Sequence, residues 1–409
     1  MVLDTLETLK QEAYTDTSNP FIANFQSALE DYNSGLYRDS LRQLNKIRKK
    51  IKKSSLKENE FIVATNVIIG NNYAKRREFS NAISFYKKAL KIDPDNIPAK
   101  NNLMLVFIEQ ERYPDAISMA QELEKIVQSV EDYIVYCSLG KYYAVVKKDL
   151  DKSLEYDLKA IKMEAKTWVP YSEALFIYDE YKKDYQEAFK IYALAESRGL
   201  GNIPDILNNY AYALLKYNNL QEARNILNKI DIKSLMSRQK AIVTATWGLY
   251  YFKANELDTG KKFYEEAVAI ADAQFSNLVK QKYLLELGNY YYERGKILLA
   301  EEKWKESLNI MVDEKFFSYR KDVLENLLEL EKQKELSRNN YIIKQQVVSR
   351  YKKFIFVFVG SFLFFVFTYI LWLVKGLFMI NPFFSLIGML CSLVLFSTCM
   401  AGIVSNTTQ

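Results

Sequence analysis

The sequence predicts an all-α protein in which helical pairs stack in series and two apolar segments follow near the C-terminal end. Three observations predict this fold. Only 13 glycines and 7 prolines occur among 409 residues, so few positions interrupt a helix. Small and aromatic residues recur with a period of about 34 residues along most of the chain. Residues 354–374 and 382–404 contain no charged side chain.

The composition excludes several classes of site. The chain has no histidine, which removes histidine-based acid–base catalysis and histidine metal ligation. Its cysteines, Cys137, Cys391 and Cys399, have no metal-ligand spacing and predict no disulfide framework. No glycine-rich phosphate loop and no other catalytic motif occurs. We therefore predict a protein that is not an enzyme and that needs no cofactor or metal ion.

The net charge and the N-terminal residues limit the partners and the cellular location that we expect for the chain. The net charge is a mild +6, and no dense basic stripe predicts a nucleic-acid partner. The N-terminal segment, residues 1–20, begins MVLDTLETLKQEAYTD, which has acidic residues and no apolar core. It therefore lacks the pattern of a secretory signal. We expect the long first part of the chain to stay in the cytoplasm.

The first clear repeat unit lies at residues 69–94, which read IGNNYAKRREFSNAISFYKKALKIDP. Gly70 is followed by Tyr73, then Ala82, Tyr86 and Ala89 at the spacing of two antiparallel helices. Small residues let the two helices approach closely, and aromatic residues fill the space between successive pairs. This unit resembles the tetratricopeptide repeat, whose pattern has L-G-x2-Y, then A-x3-F, then proline.

The same spacing recurs along the chain, and we predict about eight units between residues 21 and 314. The later units, and a degenerate first one, contain Leu103, Phe107 and Ala116; Leu139, Gly140, Tyr143, Ser153 and Ala160, with a one-residue insertion; Ala188, Tyr192 and Ala195; Tyr210, Ala211 and Ala223; Trp247, Gly248, Tyr251, Gly260, Tyr264 and Ala267; Leu287, Gly288, Tyr291, Ala300, Trp304 and Ser307; and Ala28, Ser40 and Ile47. Stacked helical pairs of this kind bury one continuous core.

The resemblance implies a right-handed superhelical solenoid that binds a protein or peptide segment along its concave surface, which the first helix of each pair lines. Projecting that geometry onto this sequence selects the candidate groove residues Asn71, Asn101, Asn102, Lys141, Asn208, Tyr212, Asn289 and Tyr292. Chaperone-binding members of the family hold a terminal carboxylate with a clamp of Lys, Asn and Arg. Asn71 and Asn102 fit two clamp positions, but Val67 stands where the first lysine belongs, which argues against a chaperone tail.

The segment after the repeats predicts a capping helix, a basic connector and two transmembrane helices. Apolar residues between Phe316 and Leu330 indicate a capping helix over the last pair, and the rest of residues 315–353 forms a basic connector.

Residues 354–374 are long enough, at about 31 Å as a helix, to span a bilayer. Residues 382–404 predict a second transmembrane helix after a tight turn. Five basic residues before the first span place the solenoid and both termini in the cytoplasm of a multi-pass membrane protein, in a bacterial inner membrane.

The second predicted span carries small residues at four-residue spacing, which permit close helix packing in lipid. These candidate packing residues are Gly388, Ser392, Ser397, Thr398, Ala401 and Gly402. They pack either against the first span of the same chain or between chains of a homo-oligomer. Neither span contains an ionisable residue, so no ion path is indicated.

The leading hypothesis is a membrane-anchored scaffold or adaptor that binds a protein or peptide in its groove. The second hypothesis is a sensor–effector of the toxin or antiviral-defence type, in which ligand binding clusters the hairpins and disturbs the bilayer. The third is a receptor for a signalling peptide, which the lack of a DNA-binding domain weakens.

Overall fold

The computed structural model describes residues 20–51, 59–127, 132–313, 319–375 and 390. The chain divides into two compact units, Met1–Tyr319 and Arg320–Gln409. The predicted N-terminal segment lies outside the described residues, apart from Pro20 at the start of the first helix.

In its described residues, the first unit is an all-α, tetratricopeptide-like solenoid of eight helical hairpins. Each hairpin pairs a first and a second helix in chain order: α1 Pro20–Asn33 with α2 Tyr37–Ile51, α3 Asn59–Lys75 with α4 Phe79–Ile92, α5 Ile97–Glu109 with α6 Tyr113–Ile126, α7 Tyr133–Tyr142 with α8 Leu150–Lys162, α9 Val169–Phe176 with α10 Tyr185–Ser197, α11 Pro204–Lys216 with α12 Leu220–Asn228, α13 Ser237–Lys253 with α14 Leu257–Ile270, and α15 Ala273–Glu293 with α16 Ile297–Leu308. A short 3-10 helix, Ile232–Ser234, precedes α13.

The turn inside every hairpin has the same backbone conformation. One residue with left-handed φ stands two positions before each second helix: Gly35, Arg77, Glu111, Lys148, Lys183, Asn218, Asn255 and Gly295. In hairpin 2, Glu78 N–H then donates to the Tyr73 carbonyl at 2.8 Å, and Lys296 repeats this bond to Tyr291 in hairpin 8. These bonds satisfy carbonyl groups that the end of the first helix leaves without a partner.

Hairpins 4 and 5 contain one extra residue at the end of the first helix. Their first helices continue as π turns, Tyr143–Lys147 and Ile177–Lys182. The bond that closes the turn therefore reaches one residue farther back, from Asp149 N–H to the Tyr143 carbonyl at 3.0 Å and from Asp184 N–H to Tyr178 at 2.8 Å. A π turn is the usual way for a helix to absorb one inserted residue. The insertion that the sequence predicts in hairpin 4 has this form.

Glycine sets the distance between the helices of several hairpins. A Cβ atom on Gly288 would lie 2.4 Å from Trp304 Cδ1, and one on Gly70 would lie 2.4 Å from Tyr86 Cε1. A side chain at either position would clash with the ring, so glycine lets the aromatic residue of the second helix pack directly on the first. Trp304 and Tyr86 are fully buried as a result.

The first helices of successive hairpins contact one another, so that they form one layer of the solenoid. Contacts join α3 to α5, α5 to α7, α7 to α9, α9 to α11, α11 to α13 and α13 to α15. Each second helix from α2 to α14 also packs against the first helix of the next hairpin. The layer of first helices is the surface on which the sequence predicts a groove.

The second unit is described as one helix, α17, Arg320–Lys375. It runs without interruption through the predicted capping helix, basic connector and first span. Val323 and Leu330 are buried, whereas Leu324 and Leu328 are exposed. The part of the chain that the structure describes has no helix long and apolar enough to cross a membrane, so the predicted first span is not supported. The second span, except residue 390, and all six candidate packing residues lie outside the described residues.

Candidate functional site: two cavities in the layer of first helices

Two adjoining cavities lie among the first helices of hairpins 5–8. The lysine cavity has a volume of about 230 Å³ and is lined by residues of α9, its π turn, α11, α13, α14 and α15, with Lys282 in its wall. The glutamate cavity has a volume of about 250 Å³ and includes Glu173 and Asp205. The two cavities share Phe176, Asn208, Asn209 and Ile242. They therefore form one continuous candidate site.

A buried network of four charges stands at the lysine cavity. Lys282 Nζ lies 2.9 Å from Glu180 Oε1 and 3.3 Å from Glu286 Oε1. Lys216 Nζ lies 2.6 Å from the same Glu286 oxygen. The side chains of Glu180 and Glu286 are only 6% and 2% exposed. This network links hairpins 5, 6 and 8, and so it fixes the relative positions of the helices that line the cavity.

Mutual attraction keeps all four groups charged. Burial alone would raise the pKa of Glu180 and of Glu286, but the Lys216 and Lys282 ammonium groups outweigh it and hold both values below the usual range. Burial alone would lower the pKa of Lys282, but the two carboxylates hold it well above its usual value. Each charge opposes the desolvation cost of its neighbour. The network is therefore a permanent set of paired charges near neutral pH.

Tyr212 completes the enclosure of Lys282. Its hydroxyl accepts a hydrogen bond from Lys282 Nζ and donates one to Glu286 Oε1 at 3.4 Å. The Lys282 ammonium also lies 4.1 Å from the centroid of the Tyr319 ring. Burial raises the pKa of Tyr212 well above its usual value, so the hydroxyl stays protonated. The Lys282 ammonium group is thus already paired with groups of the protein itself.

Three acceptor oxygens on the cavity walls have no hydrogen-bond partner. They are Asp179 Oδ1, Asn208 Oδ1 and Glu173 Oε2. Asp179 is 3% exposed and Asn208 is 5% exposed. Burial and the adjacent Glu180 carboxylate raise the pKa of Asp179 well above its usual value, and burial raises the pKa of Glu173 to about 7. Unsatisfied buried acceptors are costly, so a ligand that donates hydrogen bonds to these three oxygens would relieve that cost.

Two of the eight predicted groove residues, Asn208 and Tyr212, line these cavities. Asn289 lies beside the charge network, because its Nδ2 donates to Glu286 Oε2 at 3.1 Å. Its Oδ1 accepts from Trp304 Nε1 at 3.2 Å, and the Tyr292 ring stands 5.4 Å from the Trp304 ring. The structure therefore brings part of the predicted set to one end of the layer of first helices.

The other predicted groove residues lie elsewhere. Asn71, Asn101 and Asn102 are buried, and Asn71 Oδ1 accepts from Tyr86 Oη at 2.8 Å and from Asn102 Nδ2 at 2.7 Å. The two residues at clamp positions therefore hydrogen-bond to each other. Lys141 pairs with Glu109 at 2.7 Å on the neighbouring first helix.

Sequence reasoning missed the charged residues of the site. Asp179 and Glu180 lie in the π turn of a hairpin whose first helix lacks the glycine signal, so the repeat pattern does not mark that helix. Lys282 and Glu286 are four residues apart and both face inward on α15, a pattern that is normally read as an exposed ion pair. Both residues lie close in sequence to the clear motif at Gly288. Assigning all inward-facing positions of α15 to the layer of first helices would have identified them.

No protein-family model matches this chain. A stretch of 88 residues is 38% identical to the Protein STIP1 homolog of Dictyostelium discoideum, and it covers 20% of this chain and 15% of that relative. The chain thus matches less than two thirds of the relative's length.

Solved structures with a similar arrangement share little sequence with this chain. A tetratricopeptide repeat protein from Parabacteroides merdae is 13% identical with a TM-score of 0.45, and the alignment covers 64% of this chain and 98% of that one. Pseudomonas aeruginosa pilF is 15% identical with a TM-score of 0.44, covering 53% and 96%. The APC/C hetero-tetramer Cut9-Hcn1 is 14% identical with a TM-score of 0.44, covering 76% and 57%.

Proposed function

We propose that this protein is an interaction scaffold that binds a protein partner on the first-helix layer of hairpins 5–8. The observation that carries the proposal is the pair of adjoining cavities in that layer, with apolar walls and a few fixed polar groups. Binding sites in proteins commonly combine apolar walls with a small number of oriented polar groups. The buried network around Lys282 supports the proposal because it holds the cavity walls in place before a partner arrives.

Site-specific crosslinking in cells tests this proposal. A photoreactive amino acid replaces Ile242, which lines both cavities and is partly exposed. The matched control places the same group at Leu298, which is 81% exposed on a second helix. We expect a discrete protein adduct from position 242 and none from position 298. Equal adducts at the two positions, or none at 242, would contradict the proposal.

We further propose that the scaffold is held at a bacterial inner membrane, with its solenoid in the cytoplasm. Support comes from the C-terminal part of α17, where Phe356 is 82% exposed and Leu363 and Phe367 are each 60% exposed. Exposed apolar surface of this extent marks a binding surface. Basic residues just before this segment suit anionic lipid headgroups. The lipid contact is proposed as attachment, since no described helix has the length and apolarity to span.

Liposome flotation tests the membrane attachment. The full chain is mixed with vesicles of phosphatidylcholine and phosphatidylglycerol, and the variant Phe356→Asp/Leu363→Asp/Phe367→Asp is compared with it. We expect the full chain to float and the variant to float several-fold less. A full chain that stays at the bottom of the gradient would sink the attachment. The sensor–effector and peptide-receptor hypotheses remain predictions, and the former depends on residues outside the described part of the chain.

A further inference from the structure

We propose that the two cavities recognise a positively charged side chain, a lysine or arginine in an extended segment of the protein partner. This inference rests on the proposed function and specifies the chemistry of the partner. It comes from two features of the cavity walls, namely the kind of buried polar atom that lacks a partner and the carboxyl groups around it.

The buried atoms without partners on the cavity walls are all oxygens that can accept a hydrogen bond. Asp179 Oδ1, Asn208 Oδ1 and Glu173 Oε2 have no hydrogen-bond partner, and no buried donor atom among the described residues lining the cavities is without one. A ligand that satisfies this site must therefore bring N–H or O–H groups. Lysine carries three donors and arginine carries five, and neither carries an acceptor on its charged group.

The carboxyl groups of the cavities also favour a cation. Lys216 and Lys282 are paired with Glu180 and Glu286. Asp179 in the same π turn has an oxygen without a hydrogen-bond partner, and burial raises its pKa, so it is a carboxyl group that a bound cation would ionise. Lys183 is 3.7 Å from Glu180 and its side chain is 47% exposed, so it stands at the edge of the network. Glu173 and Asp205 add two carboxyl groups in the glutamate cavity, and burial raises the pKa of both. A bound cation would lower the pKa of these carboxyl groups and pair with the carboxylates that result, whereas the terminal carboxylate that a clamp binds would raise their pKa further.

The shape and walls of the lysine cavity suit one long side chain. Apolar residues line it on several sides, including Ile242, Ala245, Leu278 and Val279. Lysine and arginine bury their aliphatic stems along such surfaces while the charged head reaches a polar end. The volume of about 230 Å³ is below the range of about 300–1,000 Å³ that whole small-molecule ligands occupy. The terminal torsions of Asp179 and Asn208 are soft, so both oxygens turn toward a ligand at little cost.

The test measures binding of a defined probe to the purified full chain. The probe is a capped heptapeptide of glycine and serine with one central arginine, and its match replaces arginine by neutral, nearly isosteric citrulline. We expect the arginine peptide to bind at least tenfold more tightly by isothermal titration calorimetry. Equal binding of the two peptides, or no binding of the arginine peptide, would overturn the proposal. Tighter binding of spermidine than of the arginine peptide would overturn the assignment to a protein segment.

Two variants connect the binding to the site. Asp179→Asn keeps the shape and removes the carboxyl group that a cation would ionise, and Asn208→Leu removes the acceptor shared by both cavities; each should weaken binding of the arginine peptide about tenfold. The control Glu265→Gln removes an exposed carboxylate on α14 and should leave binding unchanged. Equal affinity in Asp179→Asn and the wild type would refute the inference. Crosslinking from position 242 distinguishes the two proposals, because a partner adduct that persists without arginine selectivity leaves the scaffold standing and removes only the charge recognition.

Discussion

Hairpins 7 and 8 and hairpins 4 and 5 pack their helices in different ways. In hairpins 7 and 8, a glycine of the first helix receives an aromatic ring of the second, as Gly288 receives Trp304. In hairpin 4, Gly140 faces a carboxylate, because a Cβ atom there would lie 2.6 Å from Asp157 Oδ1. Hairpins 4 and 5 also end their first helices in π turns. Hairpins 7 and 8 therefore pack an aromatic ring on a glycine, whereas hairpins 4 and 5 have a carboxylate or a π turn at the corresponding places; buried carboxylates occur in both groups, since Glu286 of hairpin 8 belongs to the charge network.

This difference indicates which contacts stabilise the solenoid and which supply polar groups for binding. Glycine–ring contacts stabilise the solenoid by close packing of the two helices of a hairpin. The π turn of hairpin 5 instead places Asp179 and Glu180 in the wall of the lysine cavity. Buried carboxylates reduce stability unless they are paired, so their presence in the wall of the lysine cavity is consistent with a binding role. Four predictions test this comparison.

The largest effect is expected from Lys282→Met, which removes the central cation of the buried network. Glu180 would lose its nearer ammonium partner, at 2.9 Å, and would keep the half-exposed Lys183 at 3.7 Å. Glu286 would keep Lys216 as its ion-pair partner. Breaking a buried pair by removing one partner costs about 3–5 kcal/mol. Urea denaturation should show this loss in the free energy of unfolding. The matched control Lys280→Met lies on the same helix, is exposed, and should change stability by less than about 0.5 kcal/mol. Similar stability of the two variants would mean that the network contributes nothing.

Sequence reasoning succeeded for the regular hairpins and failed for the irregular ones for physical reasons. The pairing of Gly288 with Trp304 is local, because both residues lie in one hairpin and their spacing follows from two helices and a short turn. The pair between Lys282 and Glu180 joins residues 102 positions apart. Their meeting depends on the stacking of four hairpins and on a π turn that no glycine marks. Periodicity predicts the helices, but it does not predict which polar residues of distant helices meet.

The second prediction concerns the contact of a glycine with a ring. Gly288→Ala places a methyl group 2.4 Å from Trp304 Cδ1, so the buried indole must shift. Overpacking of this kind costs about 1–3 kcal/mol. Gly360→Ala is the control, since nothing lies within 4 Å of its added Cβ and alanine favours a helix. Thermal unfolding should show a lower midpoint for Gly288→Ala alone. An unchanged midpoint would show that this hairpin is packed more loosely than its geometry indicates.

The third prediction tests the buried carboxylates through pH. Because the pKa of Glu173 is raised from 4.5 to about 7 in the folded chain, the folded state binds the extra proton in that interval. Its stabilising contribution is complete below about pH 4.5 and is lost as the pH rises through 7. Glu173→Gln should therefore lose less stability than the wild type between pH 5 and pH 8, by about 1–2 kcal/mol after allowance for partial exposure. Urea denaturation at both pH values measures the difference, and Glu265→Gln should behave as the wild type.

The smallest effect is expected at the turns, where the two kinds of hairpin share one backbone conformation. Lys148 in hairpin 4 has φ of 57° and Gly295 in hairpin 8 has φ of 69°. Left-handed φ costs a residue with a Cβ about 1–2 kcal/mol, while glycine adds unfolded-state entropy of about 0.4–1 kcal/mol. Lys148→Gly should therefore stabilise the chain by about 0.5–1 kcal/mol, and Gly295→Ala should destabilise it by a similar amount. Urea denaturation measures both shifts. Opposite signs in the two hairpins are essential, because a loss of stability in both variants would mean that Lys148 contributes through its side chain and that the turns are not equivalent.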